Sequence, residues 1–257
     1  MLFRSVQATD ASFINNRNSV HVNNYRNFDP NFPEREMDNV SYFTNCVFDI
    51  NHLINEEYNL TQYFYKHIDL YKVKGIQFRG CDFSVNSGFC VAEWNSAIAS
   101  NSAGFTVSAI CTSNTTPCSS WDKCTFNGFK IAINASNSLS NNYTFSVIRA
   151  EFTDNICGVQ VENVNNFSVL FSNFFIGNND VDEEECEGID LYAAGYGISS
   201  SNATGFAIEE NYFTKAQGAP AGNYVGIYIA ETQSTDQVYK NTFEGLSYGN
   251  YAVGKNW

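Results

Sequence analysis

The feature that most constrains this chain is an internal repeat. FSVIRAEF at 145–152 and FSVLFSNF at 167–174 share Phe, Ser, Val, an aliphatic residue and the closing Phe at an offset of 22 residues. A fixed short period is the signature of a stacked architecture, in which each unit buries its apolar face only against its neighbours. The same phase recovers segments that end at Phe13, Phe48, Phe83, Phe126, Phe213 and Phe243, so eight copies span the chain. A second short apolar run follows many of them and often opens with glycine: Gly158-Val-Gln-Val161, Gly188-Ile-Asp-Leu191 and Gly226-Ile-Tyr-Ile229, with Phe129-Lys-Ile-Ala-Ile133 in the same place after Phe126. Apolar residues alternate in these runs, the period of a strand with one buried face.

Segments repeated in one phase are related by translation, and translation makes neighbouring copies parallel. Antiparallel hairpins would reverse the chain at each step. The expected fold is therefore all-β, a parallel β-helix (solenoid) of about eight coils of roughly 22 residues, one domain over 1–257. At a strand spacing of ~4.8 Å the stack would be roughly 40 Å long. Leucine-rich repeats have similar periods but need several Leu per coil, and the chain has eight Leu in all. Asn, Ser, Thr, Gly, Phe, Tyr and Val dominate instead, which are strand and turn formers.

Two places before each closing Phe stand Ala11, Cys46, Cys81, Cys124, Ala150, Ser172, Asn211 and Asn241, all small or amide. This column reads as an inward-turning corner, where stacked amides hydrogen-bond along the axis and Cys or Ala fill the same narrow space. Cys46, Cys81 and Cys124 are then ladder residues, because side chains in one column cannot surround a metal ion. The Phe column is core by the same logic.

These motifs resemble the right-handed parallel β-helix repeat of secreted and surface-anchored bacterial proteins, with its Ile-x-x-Asn-x-Phe followed by Gly-Ile-x-Val. The nearest likeness is to large β-helical surface proteins that carry a type IX secretion sorting domain, through phrases such as Glu209-Glu-Asn-Tyr-Phe213 and Gly245-Leu-Ser-Tyr-Gly-Asn250. The resemblance covers nearly the whole chain and implies a right-handed coil and an extracellular or cell-surface location. The opening Met1-Leu2-Phe3-Arg4 has no signal-peptide apolar stretch. A repeat copy is complete by Phe13 and another ends just before Trp257, so the expectation is an interior piece of a longer protein, since repeat arrays need polar caps.

The net charge of −13 argues against nucleic acid and anionic membranes as partners, and no apolar run approaches the ~18 residues of a membrane span. A monomer is expected. The eight cysteines, including Cys90, Cys157 and Cys186, contain no CxxC pair. Cys111 and Cys118 bracket the turn-rich Thr-Ser-Asn-Thr-Thr-Pro and suit a loop disulfide in an oxidising compartment, or stay as free thiols. Seven Asn-x-Ser/Thr sequons, Asn114 and Asn166 among them, arise readily in so Asn-rich a repeat.

Parallel β-helices also host polysaccharide lyases and glycoside hydrolases of the pectate-lyase-like class, which is the alternative reading. Hydrolysis needs paired carboxylates, and the polygalacturonase motifs Asn-Thr-Asp, Gly-Asp-Asp, Gly-His-Gly and Arg-Ile-Lys are missing from the sequence. A lyase needs a base, and Lys72, Lys74 and Arg79 form the best basic group. His21, His52 and His67 lack metal spacing and read as surface or satisfied side chains. No catalytic, cofactor or metal residue is assigned. The one place that could supply oxygen ligands for Ca²⁺ is the acidic run Asp180-Val-Asp-Glu-Glu-Glu-Cys-Glu187, more simply a solvated loop. That run and Lys215 to Tyr224 are insertions at one corner of neighbouring coils. With Tyr192, Tyr196, Tyr212 and Tyr224 they are expected to form a lateral recognition surface, since binding residues gather on loops of rigid scaffolds. The expected function is a non-enzymatic structural or adhesive module of an exported protein that binds glycans or surfaces.

Overall fold

The structure is a computed structural model and describes residues 5–24, 27–29, 31–32, 34–51, 65–85, 94–138, 143–177, 194–232 and 236–255. Strands of these residues form three eight-stranded sheets in which every neighbouring pair is parallel. The chain visits the sheets in fixed order. Phe145–Ile148 lies in the first, Glu151–Asn155 in the second and Cys157–Glu162 in the third, and the next coil repeats the order with Ser168–Leu170, Asn173–Ile176 and Ala194–Ser201. Eight such passages account for all 24 of these strands. Each eight-residue copy in the sequence is thus two short strands with a corner between them.

The corner is built by a single left-handed residue. Asp10, Asn45, Gly80, Arg149, Phe171, Glu210 and Lys240 all have φ between 51° and 57° and stand immediately before the small-or-amide column. Left-handed backbone costs an ordinary L residue about 1–2 kcal/mol, least for Gly, Asn and Asp. A similar residue ends most third-sheet strands, for example Lys72, Ser102, Asn163 and Asn202.

The closing phenylalanines are in register from end to end of the second sheet: Phe13, Phe48, Phe83, Phe126, Phe152, Phe174, Phe213 and Phe243. Their rings stack with centroid spacings of 4.5 to 5.1 Å. Burial of each interior ring contributes about 1.5–3 kcal/mol. The first sheet adds shorter stacks, Phe43 on Phe78 and Phe105 on Phe145 on Phe167 on Phe206. One apolar cluster draws on all three sheets.

The glycines that open the third-sheet runs are explained by that stack. A Cβ on Gly197 would lie 2.5 Å from the Phe213 ring, and one on Gly226 would lie 2.6 Å from the Phe243 ring. Glycine therefore lets the third sheet close onto the phenylalanines. In the coil after Phe174 the strand that pairs with its neighbours is Ala194–Ser201, with Tyr196 opposite Cys157 and Ile198 opposite Val159. This corrects the sequence expectation, which gave that place to Gly188–Leu191. Those residues lie outside the described set. Two Gly-Ile phrases occur nine residues apart, and only the pairing register distinguishes them.

The corner column has a more specific role than space filling. The left-handed turn aims a backbone N–H along the axis, and the side chain of the next coil accepts it. Ala150 N–H donates to Ser172 Oγ (3.1 Å), Ser172 N–H to Asn211 Oδ1 (2.8 Å) and Asn211 N–H to Asn241 Oδ1 (2.9 Å). The amides also donate back, from Asn211 Nδ2 to the Val169 carbonyl and from Asn241 Nδ2 to the Ile208 carbonyl. In the earlier coils Cys124 Sγ accepts the Cys81 N–H at 3.2 Å. Cys46, Cys81, Cys124 and Cys157 are buried free thiols, while Cys90 and Cys186 lie outside the described residues.

Among the described residues, insertions leave from corners. Between the first and second sheets, Ile110–Cys111 pairs antiparallel with Trp121–Asp122, and Cys111 and Cys118 close this hairpin as a disulfide. A second hairpin, Asn27–Phe28 with Glu36–Met37, lies between the third and first sheets. Among the described residues no helix is long and apolar enough to cross a membrane.

Candidate functional site

The outward positions of the third sheet change character along the stack. At one end the Lys66 ammonium and the His21 imidazole flank Asp69, at 3.6 and 3.1 Å. At the other end four tyrosines gather. Tyr228 pairs in register with Tyr251, and Tyr196 and Tyr248 occupy the neighbouring outward column. Tyr196 meets Tyr228 edge-on at 5.7 Å, Tyr228 lies 5.9 Å from Tyr251, and Tyr251 lies 5.1 Å from Tyr248. Tyr248 is 50% exposed and Tyr251 is 42% exposed. An amphipathic ring held by its neighbours offers an apolar face with a hydroxyl rim at low entropic cost, which suits the C–H faces of a sugar.

The tyrosines named from sequence do not form one surface. Tyr196 belongs to this strip. Tyr212 lies on the outer face of the second sheet, where its hydroxyl donates to Glu244 at 2.6 Å and its ring meets Phe175. That carboxylate beside it raises the Tyr212 pKa above the ordinary phenol value. Tyr224 is only 2% exposed and is not a recognition residue. Its ring packs over Gly177, its hydroxyl donates to the Pro220 carbonyl at 2.9 Å, and burial raises its pKa. It is the post under the 216–222 loop, with Ala216 and Ala219 buried beside it. Tyr192 and the 180–187 run lie outside the described residues. Tyr228, Tyr248 and Tyr251 were missed because sequence alternation does not tell which of two faces a tyrosine takes until register is known.

The basic group is dispersed. Lys74 pairs with Asp38 at 3.0 Å, Arg79 donates to Gln77, and Lys72 sits over the Tyr71 ring. Lys74 and Arg79 occupy opposite ends of one strand, roughly 16 Å apart at strand rise. His67 is buried between coils, its ring against Phe48, Phe83 and Phe129, with Nε2 3.2 Å from the Ser84 carbonyl. Burial lowers its pKa to about 4. His52 lies outside the described residues. Burial pushes the Cys46 and Cys124 thiols up and Cys157 up to about 12, which makes them poor nucleophiles.

On the second sheet's outer face the carboxylates are spoken for: Asp49 accepts from Ser84 (2.6 Å), Asp82 from Thr125 (2.7 Å) and Glu151 from Lys123 (3.1 Å). One outward column of the first sheet is neutral, running through Gln7, Tyr42, Gln77, Thr106, Ser146 and Ser168, while the column beside it carries Arg79 and Glu209. No protein family, curated protein or solved structure matches the chain.

Proposed function

We propose that this chain is a stretch of right-handed parallel β-helix from an exported protein, and that it acts as a structural or adhesive module that binds a glycan or glycan-bearing surface through the third-sheet tyrosine strip. The right-handed winding is supported by the connections: parallel strands in one sheet joined by a crossover are right-handed in about 98% of cases. The hairpin disulfide Cys111–Cys118 supports export, because such bonds persist in oxidising compartments. The single observation that carries the binding role is the cluster Tyr196, Tyr228, Tyr248 and Tyr251, four rings on the outer face of a rigid sheet.

A glycan array together with a lyase and hydrolase screen tests this reading. Binding without turnover is the expected outcome, and turnover of any polysaccharide would replace it with the enzymatic one. The enzymatic reading has one observation in its favour. Asp82 and Glu151 stand in one outward column either side of Thr125, roughly 10 Å apart at two strand spacings, close to the separation of an inverting carboxylate pair. Activity that disappears in Asp82→Asn and Glu151→Gln would locate it there.

A further inference from the structure

We propose a second binding site on the opposite side of the second sheet, in which Arg149 takes the carboxylate of a terminal acidic sugar. The Arg149 guanidinium carbon lies 4.3 Å from the centre of the Trp121 ring and 4.4 Å from that of Phe171. One ring comes from the coil before and one from the coil after. With both faces covered, the planar fork of N–H donors is left free at its edge. Among the described residues no hydrogen bond or ion pair engages that edge. Of the carboxylates at this corner, Glu151 pairs with Lys123 and Glu210 with Lys240 at 3.6 Å, while Asp122 lies towards Gly80.

The backbone points the same way. Arg149 and Phe171 hold the left-handed corner position at φ 57° and 55°, the position that earlier coils give to Asp10, Asn45 and Gly80. The corner fixes the direction in which both side chains leave the backbone, as it does for Glu210 and Lys240 in later coils. Trp121 is equally fixed, since it pairs with Cys111 of the disulfide-closed hairpin. The clamp is therefore pre-organised, the condition under which an exposed arginine holds an anion in a defined direction.

The ligand class follows from charge and shape. A net charge of −13 repels a polyanion at long range, while one carboxylate reaching one unpaired guanidinium is tolerated. Trp121 and Phe171 are 37% and 38% exposed, leaving apolar surface beside the fork for the C–H face of a sugar ring. A single uronate at a chain end meets both requirements.

The test titrates the protein with methyl β-D-glucuronide and with methyl β-D-glucoside, which differ by a carboxylate against a hydroxymethyl. The readouts are the Trp121 indole and Arg149 Nε–H resonances. The glucuronide should shift both saturably with millimolar affinity, at least about tenfold tighter than the glucoside. Arg149→Gln should abolish the preference, and Arg149→Lys, which keeps charge and corner but loses the fork, should weaken it. Equal response to the two sugars, no saturable shift, or a preference that survives both substitutions would overturn the proposal. The tyrosine strip is on a different sheet, so Tyr228→Ala should leave this response unchanged.

Discussion

The coils that close on Phe48, Phe83 and Phe126 and those that close on Phe174, Phe213 and Phe243 share one ring stack and fill the space around it in opposite ways. Facing the rings, the first group sets His67, Ala97 and Ala132, and the second sets Gly197, Gly226 and Gly249. At the corner the first group uses the thiols Cys46, Cys81 and Cys124, and the second uses Ser172, Asn211 and Asn241. On the outer third-sheet face the first group carries Lys66 and Asp69, and the second carries Tyr196, Tyr228 and Tyr251. The difference teaches which constraints are fixed. A ring at the stack recurs in every coil, and a left-handed corner residue recurs in all of these except the Phe126 coil, where the hairpin enters, whereas the neighbours need only fit the remaining volume and accept one N–H.

If the stack is common to both halves, Phe83→Ala and Phe213→Ala should each lower stability by about 3–5 kcal/mol, the cost of removing a buried aromatic ring. Urea unfolding of the two variants checks this, and a large cost in one half alone would break the comparison. The next effect belongs to one half only. His67 is neutral in the fold and its pKa falls from 6.5 to about 4, so the unfolded chain binds the proton first. Its stabilisation is complete above pH 6.5 and is lost as pH falls towards 4, by about 3 kcal/mol in total. Hydrogen exchange at pH 4.5 should show faster opening of the coils around Phe48 and Phe83 than of those around Phe213. His67→Ala, which copies Ala97 and Ala132, should remove the pH dependence.

A smaller contrast sits in the corner. Asn211→Ala leaves the Ser172 N–H without its acceptor and removes the amide's bond to the Val169 carbonyl and should cost about 2–3 kcal/mol. Cys81→Ala removes a weaker contact and should cost about 1 kcal/mol. Thermal denaturation of the pair would sharpen the claim, and equal costs would show that the amides act only as filler. The smallest effect is expected on the surface. Asp69→Asn breaks exposed pairs with His21 and Lys66 and should change stability by less than about 1 kcal/mol.

Much of the scaffold was legible in the chain because parallel stacking repeats the same side-chain problem. The phase of the eight phenylalanines and the small-or-amide column follow from residue type and spacing, whereas spacing alone leaves Cys111 and Cys118 as either a loop disulfide or two free thiols. Tyr224 was not legible, since a tyrosine beside an insertion reads the same whether it props the loop from inside or faces solvent. Nor was the clamp around Arg149. Its three members lie 28 and 22 residues apart, at 121, 149 and 171, and meet only because an inserted hairpin lifts Trp121 into the corner column.

The most direct test of the binding account compares the two ends of the third-sheet face. Retention on a panel of insoluble polysaccharides should fall about tenfold or more when Tyr228 and Tyr251 are replaced together by alanine, with folding checked by circular dichroism. Lys66→Ala with Asp69→Asn should retain like the unaltered protein. Equal retention by all three proteins, or loss only in the ionic-end variant, would contradict the assignment of the tyrosine strip as the binding surface.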